Sequence, residues 1–163
     1  MAAGSSDRRE RMLFLPCVLA RLTDLNPESS ADSSARTVPI QELKRSVIEN
    51  ITLLLNSRSH PRSDELGFDP VRDSVLGFGI GDFCGVTRSI DRTEKLRREI
   101  LRQIRSFEPR LDGKQLSVEP VAKATEGSQL EYEIRGVVRV SPLAQELVFR
   151  ARLNLETGAT SID

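Results

Sequence analysis

Phe107-Glu108-Pro109-Arg110-Leu111 marks the place where the chain changes its hydrophobic period. Before it, apolar residues recur every three or four positions; after it, they alternate. Pro109 has no amide proton and disfavours helical geometry at the residue before it, so a helix stops at Glu108 and the chain leaves extended. In an extended segment, residues two apart point to the same side. Glu108 and Arg110 are therefore expected side by side, between the apolar anchors Phe107 and Leu111. As a plain helix stop with an exposed ion pair, the stretch contributes only ~0–1 kcal/mol. Shielded by a partner, the pair would cost about 3–5 kcal/mol to break from one side.

Upstream, Leu96, Ile100, Ile104 and Phe107 form one face of a helix that should begin near Asp91. The Asp91 carboxylate is the expected cap, with Glu94 as its box partner three residues on. Lys95, Arg98, Arg102 and Arg105 fall on the opposite face. Downstream, Leu116 and Val118 alternate before Pro120. Leu130, Tyr132, Ile134, Val138 and Val140 keep a period of two across Gly136, and Leu147, Phe149, Ala151, Leu153 and Leu155 repeat it. These are three strands, with Gly127-Ser128 and Ser141-Pro142 as turns.

An earlier helix follows Thr37, where Ile40, Leu43, Val47, Ile51, Leu54 and Leu55 recur at helical spacing and Pro39 suits the first turn. It runs out before Pro61. The expected fold is α+β: two amphipathic helices packed on a three-stranded antiparallel β-meander, with an extended N-terminal arm. Between the helices, Gly67-Phe68-Asp69-Pro70 and Gly77-Phe78-Gly79-Ile80-Gly81-Asp82-Phe83 alternate glycines with aromatics, which allows tight turns pinned to a core.

Asn26 to Arg36 is small and polar, a linker composition. The boundary is placed there, giving a flexible, partner-binding arm and linker over 1–36 and an α+β domain over 37–163. The apolar run Met12–Ala20 follows three arginines, as in a secretory signal, but Pro16 interrupts it and Arg21 closes it. A disordered tail or a short apolar arm that orders on a partner fits better. No apolar run approaches the ~20 residues that cross a bilayer.

The 163 residues carry 24 basic and 24 acidic side chains, one His, two Cys and no Trp. Zero net charge gives no long-range pull toward nucleic acid, and the basic helix face lacks stacking aromatics. His60 precedes a proline in a polar stretch, without the companions a metal site needs. Cys17 and Cys84 are far apart, so reduced thiols are expected, Cys84 as a buried, inert one. The glycines at 77, 79, 81 and 85 lack the Lys-Ser/Thr pair of a phosphate loop. No cofactor, metal or catalytic centre is expected.

The tetrad Glu108-Pro109-Arg110-Leu111 at the end of an amphipathic helix resembles the signature of the baseplate wedge family of contractile injection machines. Its nearest branch is the TssE subunits of type VI secretion. Leu54-Leu55-Asn56-Ser57-Arg58 resembles that family's helix end Leu-Leu-Asn-Thr-Arg. Ser74-Val75-Leu76-Gly77-Phe78-Gly79-Ile80-Gly81-Asp82-Phe83 is similar to its Ser-Val-Leu-x-Tyr-Gly-Leu-Pro-Asp segment. Leu19, Arg21, Leu22 and Asp24 resemble its amino-terminal Leu-x-x-Arg-Leu element. The chain departs from the pattern at Gly81 (for proline), Phe78 (for tyrosine), Ser59 (for a second arginine) and the Pro61–Asp64 connection.

The resemblance implies a non-catalytic cytoplasmic subunit, one per wedge, docked at the inner face of the inner membrane. Its implied neighbours are TssF, TssG and TssK, and it helps nucleate the TssB/TssC sheath by strand augmentation. Glu108, Pro109, Arg110, Leu111, Leu19, Arg21 and Leu22 are the implied partner-binding residues. The family's historical "lysozyme-like" label leaves a muramidase-like peptidoglycan hydrolase as the alternative. That reading needs two carboxylates facing across a cleft, roughly 5–9 Å apart.

Overall fold

A computed structural model describes residues 13–14, 22–23, 27–28, 38–59, 73–85, 89–121, 128–140 and 144–163. The chain divides into two compact units, Met1–Val47 and Ile48–Asp163. In the first, β1 (Leu13–Phe14) and β2 (Val38–Pro39) pair antiparallel, Leu13 opposite Pro39 and Phe14 opposite Val38. Helix α1, Ile40–Asn56, starts directly after Pro39, which closes β2 instead of opening the helix. Thr37, the expected cap, lies outside the described residues, as do Cys17, Leu19, Arg21 and His60.

The second unit is built on a four-stranded antiparallel meander in the order β3 (Ser117–Pro120), β4 (Gln129–Val138), β5 (Gln145–Asn154), β6 (Thr160–Ile162). Register carries the alternation: Val118 faces Ile134, Ile134 faces Phe149, Tyr132 faces Ala151, and Leu130 faces Leu153. Each of these side chains is buried, so one face of the sheet is the core. The opposite face is a charged lattice. Arg150 lies 3.5 Å from Glu133 and 3.9 Å from Glu131, and Arg152 reaches Asp163 at 2.5 Å.

The fourth strand corrects the expected three-stranded meander. Thr160-Ser161-Ile162 is too short and polar to show an alternating pattern. It forms because Gly158, at φ +71°, turns the chain back, and Asn154 N–H then donates to Ala159 C=O at 2.9 Å. A side chain at position 158 would also meet Cys84 Sγ and Arg58 Nη2 at 2.5 Å.

Helix α2, Ile90–Phe107, buries Leu96, Ile100 and Ile104, with Phe107 half-buried. It lies beside β3: Arg97 Nη1 donates to Val118 C=O at 3.3 Å, and the Tyr132 hydroxyl reaches Thr93 C=O at 2.9 Å. The cap is Ser89, not Asp91: Ser89 is extended, and its hydroxyl accepts from Arg92 N–H at 3.3 Å. Asp91 sits in the first turn, where its charge suits the helix dipole. Glu94 is not a box partner; it grips Arg97 at 2.7 and 2.8 Å.

Candidate functional site

The corner at the end of α2 is built as the proline dictates. Glu108 N–H still donates to Ile104 C=O at 2.9 Å, and the backbone then leaves the helix at φ −122°, ψ 76°. Leu111 N–H closes a turn onto Glu108 C=O at 3.2 Å. The Arg110 side chain folds back on Glu108 in a fork, Nε to Oε1 and Nη2 to Oε2, both at 2.7 Å. Arg110 N–H adds a third contact to Oε1 at 3.3 Å. Such a planar two-point pairing is the strongest geometry available to a carboxylate and a guanidinium.

The pair is asymmetric. Glu108 is only 3% exposed, whereas Arg110 is 21% exposed and Pro109 lies on the surface. The acid is therefore held inside the subunit, and its partner arginine stays partly exposed at the surface.

Beyond the pair the corner is stitched to the end of β4. Arg139 N–H donates to Arg110 C=O at 2.7 Å, Asp112 N–H donates to Val137 C=O at 2.8 Å, and Leu111 bridges Val138. Leu111 is buried, as its role as an apolar anchor requires. Asp112 holds Lys114 N–H and the Gln115 amide, and these bonds, with Arg139 nearby, keep its carboxyl below the usual range.

A second cluster surrounds the end of α1. Asn56 presents its amide to the backbone of Thr160, accepting from N–H and donating to C=O, both at 2.9 Å. It imitates a neighbouring strand. Arg58 lies over the Phe83 ring at 4.7 Å and donates to Gly158 C=O at 2.5 Å, so it joins the helix end, the middle loop and the β5–β6 turn. Ile80 N–H donates to Ser57 C=O, and Ser59 N–H to Ile80 C=O, both at 3.1 Å. Gly79 passes this point at φ +102°, where a Cβ would sit 2.5 Å from Ser57 C=O.

The middle loop is pinned by its aromatics. Phe83 is buried, and Phe78 meets Phe107 edge to face at 5.3 Å. Gln103, fully buried on α2, donates to Gly77 C=O at 2.8 Å. Gly81 N–H donates to Glu99 Oε1 at 2.5 Å, a bond that the proline expected from the resemblance could not make. Cys84 is a free thiol of intermediate exposure, not a fully buried one, because its loop turns outward on the Asp82 carboxylate.

Of the implied partner-binding residues, the structure brings Glu108, Pro109, Arg110 and Leu111 into one corner. Leu22 is described and 77% exposed, while Leu19 and Arg21 lie outside the described residues. Sequence reasoning gave Asn56 and Arg58 only as family likeness; their partners Thr160 and Gly158 are a hundred or more residues away, beyond any local pattern. Among the described residues, no three His, Cys, Asp or Glu side chains are grouped to hold a metal. No described helix is long and apolar enough to cross a membrane.

Asp82 and Glu99 share one open cleft. Hydrogen bonds from Cys84 hold the Asp82 carboxyl below its usual range, with the Arg58 charge adding to the effect. Glu99 is engaged by Gly81 N–H.

These features define an α+β domain whose corner and loops are held by polar groups of its own chain. The family of the baseplate wedge protein gp25 matches residues 41–143, well over half of the chain, and the chain belongs to that family. It is the family of TssE. No curated protein and no solved structure gives a significant match.

Proposed function

We propose that this chain is a non-catalytic wedge subunit of a type VI secretion baseplate. In this reading it works in the cytoplasm at the inner face of the inner membrane. It contacts TssF, TssG and TssK and offers a template to the first TssB/TssC ring. The observation that carries the reading is the corner: a buried carboxylate fixes the partly exposed Arg110 at a turn stitched to the end of β4.

Strand edges support the augmentation part of the reading. β6 is held at Thr160 by Asn56, and β3 carries Pro120, which has no N–H to offer, and Val118 C=O already taken by Arg97. β5 pairs with β6 only through its second half. Arg150 and Asp163 exchange both bonds, so Val148, two residues earlier, points its N–H and C=O to the same flank. No described strand lies beside Val148 there, and its side chain is half exposed.

The reading is tested by co-expression of the full chain with TssF and TssG, followed by capture on a tag. Co-purification with both is expected. Failure to retain either one would remove the basis for the proposal.

A further inference from the structure

The outer flank of β5 is covered only in part. Arg150 exchanges both backbone bonds with Asp163, at 2.9 and 3.0 Å, and Asn154 N–H donates to Ala159 C=O at 2.9 Å. Arg152 faces Ser161 between them. Ahead of these, Val148 turns its N–H and C=O to the same flank, with no described strand beside it.

What holds β6 on this flank is light. Ser161 is exposed, Ile162 is half-buried, and only Thr160 is buried, so little apolar area is lost if the strand lifts. Its polar anchors are the two Asn56 bonds to Thr160 and a longer contact from the Thr160 hydroxyl to Leu55 C=O at 3.4 Å. The Arg152–Asp163 ion pair joins two exposed side chains, a kind that contributes little. The turn before β6 is fixed instead. Arg58 donates to Gly158 C=O at 2.5 Å, and Gly85 N–H to Leu155 C=O at 2.9 Å. Between the fixed turn and the light strand stands Gly158 at φ +71°, a joint that only glycine adopts at ease.

We propose that β6 is a displaceable strap. It lifts from β5 as a unit on the Gly158 joint and yields the flank at Arg150, Arg152 and Asn154 to an incoming strand that first pairs at Val148. Each bond given up to β6 is replaced by one to the newcomer, and the Asn56 latch sets how often the strap lifts. The incoming strand rests on the sheath reading above; the lifting of β6 does not.

The first readout is amide exchange in the ¹⁵N-labelled full chain. Arg150, Arg152 and Asn154 donate toward β6, while Phe149, Ala151 and Leu153 donate toward β4. Exchange about tenfold or more faster is expected in the first set, alternating along one strand. Even protection along β5 would overturn the proposal. The second readout is capture of purified TssB–TssC by the tagged chain. Arg152→Cys/Ser161→Cys, with Cys17→Ser and Cys84→Ser, staples the facing pair when oxidised. Capture should fall about tenfold or more on oxidation and return on reduction, and Asn56→Ala should raise it. Equal capture in the two redox forms, or no gain in Asn56→Ala, would overturn the exchange. With no capture by the unmodified chain, the sheath reading fails and the exchange with it, whereas even amide protection ends the strap alone.

Discussion

The Glu108 carboxylate and the Arg110 guanidinium form a two-point ion pair across a single proline, the acid sealed in the subunit and the base reaching its surface. A sequence motif of four residues thus does two jobs. It stops α2, and it anchors one arginine on a buried carboxylate. The sealed acid also means that its loss is felt first by the subunit itself.

Arg110→Ala strands a buried carboxylate that keeps only the weak contact from Arg110 N–H, and a cost of about 2–4 kcal/mol is expected. Adding Glu108→Gln to that variant removes the stranded charge and should recover part of the loss. Urea denaturation of the three proteins checks this; a double variant no better than the single one would show that the charge is not what is missed.

Asn56→Ala removes both bonds to Thr160 and uncovers the edge of β6. A loss of roughly 1–3 kcal/mol is expected, with faster hydrogen exchange at Thr160–Asp163 than elsewhere in the sheet. Concentration-dependent association of the variant would follow from the opened edge. Unchanged exchange there would refute the strand-mimic role.

Gly81→Pro deletes the N–H that meets Glu99 and should cost about 1–2 kcal/mol, although the family resemblance expects proline here. Gly81→Ala keeps the N–H and brings a Cβ to 3.3 Å from Glu99 Oε1, a contact a side chain can yield to, so a smaller loss is expected. Thermal midpoints of the two variants decide it.

The pH profile should fall on both sides. Hydrogen bonds lower the folded carboxyls of Glu94 (from Arg97) and Glu133 (from Arg135) below 4.5, and those of Asp82 and Asp112 below 3.8. Their contribution is present above these values and is lost as acid carries the pH down through the lowered ones. Burial raises Tyr132 well above 10.0, with Glu94 adding to it. The unfolded tyrosine releases its proton first, so stability should decline as pH rises past 10. Urea midpoints between pH 2.5 and 11 check both limbs, and Tyr132→Phe should flatten the alkaline one.

Much of the fold was legible because its signals are local. The α2 stripe, the alternation in β4 and β5, and the stop at Pro109 are each set by a few neighbouring residues. β6 was not legible, since its pairing depends on Gly158 turning back and on Asn56 arriving from far along the chain. Ser89 was missed as the cap because Asp91 is an equally good capping residue two positions on, and only the backbone angle at Ser89 separates them. The adjacency of Glu108 and Arg110 followed from the proline. The burial of one and not the other did not, because it depends on what β4 brings against the corner.

The most direct measurement is sheath assembly in cells producing Arg110→Ala at normal levels, with the purified variant shown to be folded. Wedge subunits that are present and soluble but no sheaths are expected, with partial rescue by Arg110→Lys, which restores charge without the fork. Sheaths of normal number and length in the Arg110→Ala strain would contradict it.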